Sequence, residues 1–236
     1  MANTYFQFKQ FTIHQDQCAM KVSTEACILG AWVPNTNPNR ILDLGTGTGL
    51  LALMLAQRTK ASIDAIELDE CAASQANQNV EKSLWKDRIQ VINENVFEWV
   101  NQINQAYDLI VSNPPFFSNS LKSETSEKNL AKHDTSEFNK RNLANALKVL
   151  LSEEGRAYIL YPELETAQFK KEVEAFGLFC EPALIIRNQP NASVFRVVSA
   201  VSKTPLGLEL EALNIREGQV HSVQFNELMK DYYLKF

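Results

Sequence analysis

Arg40-Ile41-Leu42-Asp43-Leu44-Gly45-Thr46-Gly47-Thr48-Gly49 is the stretch on which the fold turns. Its first half reads as a short buried strand, its alternating glycines as a loop, and the apolar-periodic run from Leu50 to about Gln57 as a helix. Glycines let the backbone take positive φ and approach a ligand, and the helix N-terminus behind them favours an anionic group. The spacing is Gly-x-Gly-x-Gly, whereas the dinucleotide fingerprint is Gly-x-Gly-x-x-Gly. A pyrophosphate therefore fits poorly. A smaller zwitterion such as the methionine end of S-adenosylmethionine fits better, held by Gly45 and Gly47, with Asp43 placed to receive its ammonium directly or through water.

Downstream, Ser62-Ile63-Asp64-Ala65-Ile66 reads as the next strand and ends at Glu67, twenty-two residues after Gly45. An acidic side chain at that spacing accepts the ribose hydroxyls in nucleotide-binding βαβ units. Glu67 is preferred over Asp69 for this role, because Asp69 is placed to cap a helix that starts at Glu70.

A second chemical signal follows the apolar strand Tyr107-Asp108-Leu109-Ile110-Val111-Ser112, which ends in Asn113-Pro114-Pro115-Phe116. Asn-Pro alone is a common turn opener. Placed after a buried strand and behind the glycine loop and Glu67, it suits transfer of a methyl group to a planar amino or amide nitrogen. The exocyclic amine of adenine is a poor nucleophile, because its lone pair is delocalised into the ring. The side-chain oxygen of Asn113 and the carbonyl of Pro114 are expected to accept its two N–H protons, which draws the nitrogen towards tetrahedral geometry without a strong base. Phe116 is expected to stack on the base, while the two prolines pre-set the backbone.

These motifs together resemble the class I S-adenosylmethionine-dependent methyltransferases. The resemblance narrows at the N-terminus, where Phe6-Gln7-Phe8-Lys9-Gln10-Phe11, Gln15-Asp16, Ala19-Met20-Lys21-Val22-Ser23-Thr24 and Leu29-Gly30-Ala31-Trp32 are similar to the opening of the bacterial tRNA1(Val) adenine-37 N6-methyltransferase family. Tyr232-Tyr233-Leu234-Lys235-Phe236 extends the similarity to the C-terminus. The resemblance implies a Rossmann-like α/β fold, a mostly parallel seven-stranded sheet with one antiparallel strand and helices on both faces. It also implies S-adenosylmethionine as cofactor, tRNA as substrate and a cytoplasmic enzyme. Asn113 then touches cofactor as well as base, and Lys21 and Thr24 close an N-terminal cap over the cofactor. Two positions depart from the family pattern. Asn95 stands where an aspartate often reads the cofactor's adenine amine, and Phe116 stands where tyrosine is common. Asn95 keeps an acceptor oxygen for that role, or alternatively caps the helix that follows.

Composition agrees with one catalytic domain of 236 residues, divided as a cap at 1–39, a core at 40–201 and an extension at 202–236. The 45% hydrophobic and 22% charged content is ordinary for a globular protein, and no apolar run is long enough to cross a membrane. Cys18, Cys27, Cys71 and Cys180 show neither Cys-x-x-Cys spacing nor histidine partners, so no metal is expected. A monomer is expected.

Further elements are expected as a helix from about Glu25 to Trp32 capped by Thr24, helices near Cys71 to Leu84 and Glu137 to Leu151, and strands near Arg88 to Ile92, Ala157 to Tyr161, Leu178 to Arg187 and Val194 to Val201. The last two lie too close for an intervening helix and predict a terminal hairpin. Ser118 to Ser136 reads either as a flap over the target base or as a solvated connection, and His133 within it has no partner at a catalytic spacing. The formal net charge of −5 sits uneasily with a polyanionic substrate. Lys9, Lys21, Arg187, Arg196 and Lys203 come from segments expected to converge near the site. Two other readings remain open: methylation of a protein glutamine at N5, which presents the same planar nitrogen, and a non-catalytic cofactor- or RNA-binding protein.

Overall fold

A computed structural model describes residues 3–103, 105–115 and 139–235. Phe116, the Ser118 to Ser136 segment and His133 lie outside the described residues.

A small ribbon opens the chain, with β1 (Tyr5–Gln7) antiparallel to β2 (Thr12–His14), and α1 (Thr24–Trp32) follows. The core then alternates: β3 (Arg40–Leu44), α2 (Leu50–Arg58), β4 (Ser62–Glu67), α3 (Glu70–Glu81), β5 (Ile89–Asn93), α4 (Val96–Trp99) and β6 (Tyr107–Ser112). After the undescribed segment come α5 (Lys140–Leu150), β7 (Leu151–Tyr161), α6 (Glu163–Ala175), β8 (Phe179–Arg187), β9 (Val194–Ser202), β10 (Glu211–Asn214), a two-stranded ribbon of β11 (Arg216–Glu217) and β12 (Val220–His221), and α7 (Val223–Met229).

The central sheet has the order β10-β8-β9-β7-β6-β3-β4-β5. The β9 strand pairs antiparallel with both β7 and β8, and every other pair in the sheet is parallel. The hairpin of β8 and β9 is the one expected from sequence. Seven strands were expected, and the described residues form eight. The extra strand is β10, from the segment read as an extension. It is four residues long with a single buried position, Leu213, so its pattern carries no period-2 signal. Its approach is fixed by Glu181, whose carboxylate accepts the amides of Leu206 and Leu208 and is held below the usual carboxylate range by those bonds.

Side chains alternate across the strands and so fill two cores. Ile41, Ile63, Leu109 and Tyr158 face α1, α2 and α7, while Leu42, Leu44, Ile110 and Ile159 face α4, α5 and α6. The cap packs into the first core through Phe8, Phe11, Ile13 and Ile28. Gly30 allows α1 to close on α2, because a Cβ there would lie 2.8 Å from the Met54 sulfur. The structure moves the α1 cap by one residue: Ser23, not Thr24, accepts the Ala26 amide through its hydroxyl, at 3.3 Å. Either hydroxyl is competent to cap, and the first helical turn begins one residue earlier than the apolar pattern indicated.

Parallel strands carry their carboxyl ends to one edge, where ligands bind in doubly wound sheets. Leu44, Glu67, Asn93 and Ser112 all end their strands there.

Candidate active site

The glycine loop leaves β3 and is pinned at once to its neighbour, since the amides of Gly45 and Thr46 both donate to the Ile66 carbonyl at 3.0 Å. Gly45, Gly47 and Gly49 take φ of 75°, 56° and 82°, values that L side chains rarely adopt. A Cβ on Gly47 would meet nothing within 4 Å, so no side chain stands between the backbone there and open space.

Two carboxylates organise this loop. Asp43 is fully buried, and its Oδ2 accepts the Thr46 hydroxyl at 2.5 Å and the Ala52 amide at 3.0 Å. Its Oδ1 is buried with no hydrogen-bond partner among the described residues. Burial pushes this carboxyl up to about 7, against the opposing pull of those two bonds. A group in that condition gains from a cation brought against it. Glu67 divides its oxygens between backbone amides, Oε2 accepting Gly47 at 2.8 Å and Oε1 accepting Asp69 at 3.0 Å. Asp69 itself caps α3 by accepting the Ala72 amide at 2.8 Å. Glu67 is thus the carboxylate fixed at the strand end, as its position in the sequence implied.

Gly45, Gly47, Glu67 and Asp69 line a cavity of about 570 Å³ together with Asn95, Val96, Phe97, Asn113 and Pro115, while Asp43 lies fully buried behind the glycine loop and does not line it. That volume lies within the range of small-molecule sites. Asn95 caps α4, its Oδ1 accepting the Phe97 amide at 3.0 Å, so the capping role left open in the sequence is present. It also faces the cavity, and an amide oxygen has a second lone pair for a ligand N–H.

The turn of Asn113, Pro114 and Pro115 begins where β6 ends. Ser112 is fully buried and donates from its hydroxyl to the Leu44 carbonyl at 2.6 Å, which ties the end of β6 to the residue before Gly45. The next side chain, Asn113, carries a buried Oδ1 with no partner among the described residues, and Pro114 is buried behind it. A buried acceptor without a donor costs free energy unless a ligand supplies one.

The roof comes from the cap. Cys18, Ala19 and Met20 line the cavity, and the sequence pattern gave them no role of their own. Met20 and Leu68 are 49% and 59% exposed, large apolar side chains left at a cavity wall, which marks a ligand surface better than their identity does. Lys21 and Thr24 do not line the cavity. The Lys21 ammonium donates to the carbonyls of Gln15 and Cys18, and the Thr24 side chain bonds Tyr233 near the C-terminus. Both therefore brace the cap from outside.

The five cations do not all converge. Lys203 pairs with Glu153 at 2.9 Å, just past the end of antiparallel β9 and so at the opposite edge of the sheet. Lys9 donates to the Lys230 carbonyl, and Arg196 pairs with Glu25 at 3.2 Å on the carboxyl edge. Among the described residues, no group of three or more His, Cys, Asp and Glu is placed to hold a metal ion, and no helix is long and apolar enough to cross a membrane.

Comparison with known proteins bears directly on this geometry. The methyltransferase small domain family matches residues 18–141. A Trichodesmium erythraeum protein named tRNA1(Val) (adenine(37)-N6)-methyltransferase is 42% identical over 240 residues, covering the whole of both chains. A Dyadobacter fermentans protein of the same name is 41% identical, covering 99% of each. Among solved structures, a predicted O-methyltransferase from Agrobacterium tumefaciens superposes with a TM-score of 0.65 at 17% identity, covering 87% of this chain and 95% of that one. The ribosomal protein L11 methylase from Lactobacillus delbrueckii subsp. bulgaricus does so with a TM-score of 0.54 at 18% identity, covering 80% and 83%. At such identities the structures speak for the fold alone.

Proposed function

The chain belongs to the tRNA1(Val) (adenine(37)-N6)-methyltransferase family, and from that premise we propose that it methylates the N6 amine of adenine 37 in the anticodon loop of tRNA1(Val). The single observation that carries the chemistry is the buried Oδ1 of Asn113 beside the cavity, which has no partner among the described residues. S-adenosylmethionine is the cofactor, and it supplies an electrophilic methyl at its sulfonium.

The residues present fit that cofactor. Asp43 holds an unpartnered carboxylate oxygen behind the loop, for the ammonium to reach directly or through water, and the Gly47 backbone lets the methionine portion approach without a side chain intervening. Glu67, already oriented by the amides of Gly47 and Asp69, has lone pairs left for the ribose hydroxyls. Asn95, with the apolar surfaces of Met20, Leu68 and Phe97, brackets the adenine end.

On the other side, Asn113 Oδ1 and the Pro114 carbonyl accept the two N–H groups of the target amine. Holding both protons in fixed directions aims the nitrogen lone pair at the methyl, so that rate comes from orientation and preorganised acceptors. Phe116 stacks on the base in this reading. An anticodon-loop base lies outside a duplex, which lowers the cost of presenting it. With tRNA as substrate, the enzyme works in the cytoplasm.

The test is methyl transfer from labelled S-adenosylmethionine to bulk tRNA from a strain lacking this protein, followed by nucleoside analysis. New N6-methyladenosine is the expected product. Labelling of a protein fraction with none in tRNA would overturn the proposal in favour of glutamine methylation.

A further inference from the structure

The roof of the cavity belongs to a segment that pairs with no strand of the central sheet. Among the described residues the β2 strand pairs with β1 and with no other strand, and residues 15–22 form no regular element. What registers this segment is a pair of carboxamides on α3, one helical turn apart on its buried face. Gln75 and Asn79 are each 1% exposed.

Asn79 grips the cap main chain at both of its polar groups. The Asn79 Oδ1 accepts the His14 amide at 2.9 Å, and its Nδ2 donates to the His14 carbonyl at 2.9 Å. The second Nδ2 proton goes to the Thr48 carbonyl at 2.9 Å, inside the glycine loop. One side chain therefore holds the roof's entry and the cavity's floor at a fixed separation. Gln75 repeats the contact three residues further along the cap, its Oε1 accepting the Gln17 amide at 3.1 Å. The far end is closed by Gln15, 4% exposed, which accepts the Val22 amide at 2.8 Å. Between these anchors stand Cys18, Ala19 and Met20, the three cap residues that face the cavity. The helix is pressed against the loop it braces, since a Cβ on Gly49 would lie 3.5 Å from the Ala76 Cβ.

We propose that Asn79 and Gln75 form a latch that sets the affinity of the site for S-adenosylmethionine by holding the cap's Cys18 to Met20 roof in register with the glycine loop. The proposal rests on the assignment of this cavity to that cofactor. Both are positioning residues, touching neither cofactor nor base. Buried carboxamides are an expensive way to fill a helix face, where leucine or alanine would pack without unmet polar atoms. Here the donors and acceptor of Asn79 and the acceptor of Gln75 are spent on main chain of the cap and the glycine loop, none of it in the central sheet. A latch of this kind governs how well the roof is preorganised, and so the share of binding free energy lost to ordering it.

The test measures cofactor binding apart from turnover. Calorimetric titration of S-adenosylmethionine into the full chain is expected to show Asn79→Ala binding about tenfold more weakly than the natural sequence, and Gln75→Ala about threefold. The KM for cofactor rises by the same factors, while kcat at saturating cofactor and the KM for tRNA stay within about twofold. Amide hydrogen exchange over residues 14–22 speeds up in both variants, with the rest of the sheet unchanged. Natural affinity and KM in a folded Asn79→Ala chain would overturn the latch, as would a fall in kcat with cofactor affinity intact. If Asn79→Ala does not fold, Gln75→Ala decides by the same readouts. Absence of binding by the natural chain would overturn the cavity's assignment and the latch with it, an outcome separate from those that defeat the latch alone.

Discussion

Two loops leave the carboxyl edge of the sheet within one strand of each other, and they are built on opposite principles. The loop after β3 is made of freedom: its glycines at 45, 47 and 49 adopt positive φ and expose backbone. The turn after β6 is made of restriction, with Asn113 followed by two prolines that fix φ and remove donors. In the first loop, Glu67 spends both carboxylate oxygens on backbone amides and Asp43 spends one, its Oδ1 meeting no donor among the described residues. In the second, the single side-chain oxygen of Asn113 meets no donor among the described residues and faces the cavity. A cofactor needs a surface moulded closely round it, whereas a reacting amine needs an acceptor that does not relax. Ser112, bonded to the Leu44 carbonyl, sets the distance between the two.

The largest effect is expected at Asn113. Asn113→Ala is expected to lower kcat by about 10²–10³, or about 3–4 kcal/mol, because it removes an acceptor whose effect is greatest in the transition state. Cofactor affinity, measured by titration, should change little.

On the other side, Glu67→Gln is expected to weaken cofactor binding by about ten- to a hundredfold, the range for losing hydrogen bonds to a charged group. The amide loses the carboxylate's charge and turns a donor towards backbone N–H groups that already donate. Titration with S-adenosylmethionine checks this directly, and kcat should survive at saturating cofactor.

Asp43 adds a pH dependence that belongs to the cofactor side alone. Its folded-state value of about 7 stands above the ordinary 3.8, so its contribution to folding stability is complete below the lower value and is lost as pH rises through the upper one. Binding has the reverse sense, because the ammonium needs the ionised carboxylate. Affinity for S-adenosylmethionine should therefore climb as pH rises through about 7, then decline near about 8 as the cofactor's own amine loses its proton. In Asp43→Asn the rising limb should vanish, as a titration series across pH would show.

The smallest effect is expected at Asn95. Asn95→Asp restores the residue often found in the family and should tighten cofactor binding by about threefold through a charge-assisted bond. The aspartate keeps the oxygen that caps α4.

The two loops also differ in how much of them the sequence discloses. Glycine and proline act through the backbone and announce themselves by spacing, so Gly45 to Gly49, Glu67 and Asn113 were placed from local pattern, and the strands around them follow. The roof was not so legible. Cys18, Ala19 and Met20 line the cavity, and the segment that carries them is bonded to Gln75 and Asn79, about sixty residues later. A carboxamide on a helix reads as solvent-facing until its partners are known. The strand β10 was missed for a related reason, since backbone pairing to β8 defines it and the side chains do not. Thr24 lost the capping role to Ser23 because two adjacent hydroxyls satisfy the same rule.

The most direct test of the division of labour is single-turnover methyl transfer to tRNA by Asn113→Ala and Glu67→Gln across a cofactor series. Saturating S-adenosylmethionine is expected to return Glu67→Gln to near the natural rate and to leave Asn113→Ala slower by at least about a hundredfold. Recovery of Asn113→Ala at high cofactor would contradict that division, placing Asn113 with the binding groups and leaving the reacting amine without its acceptor.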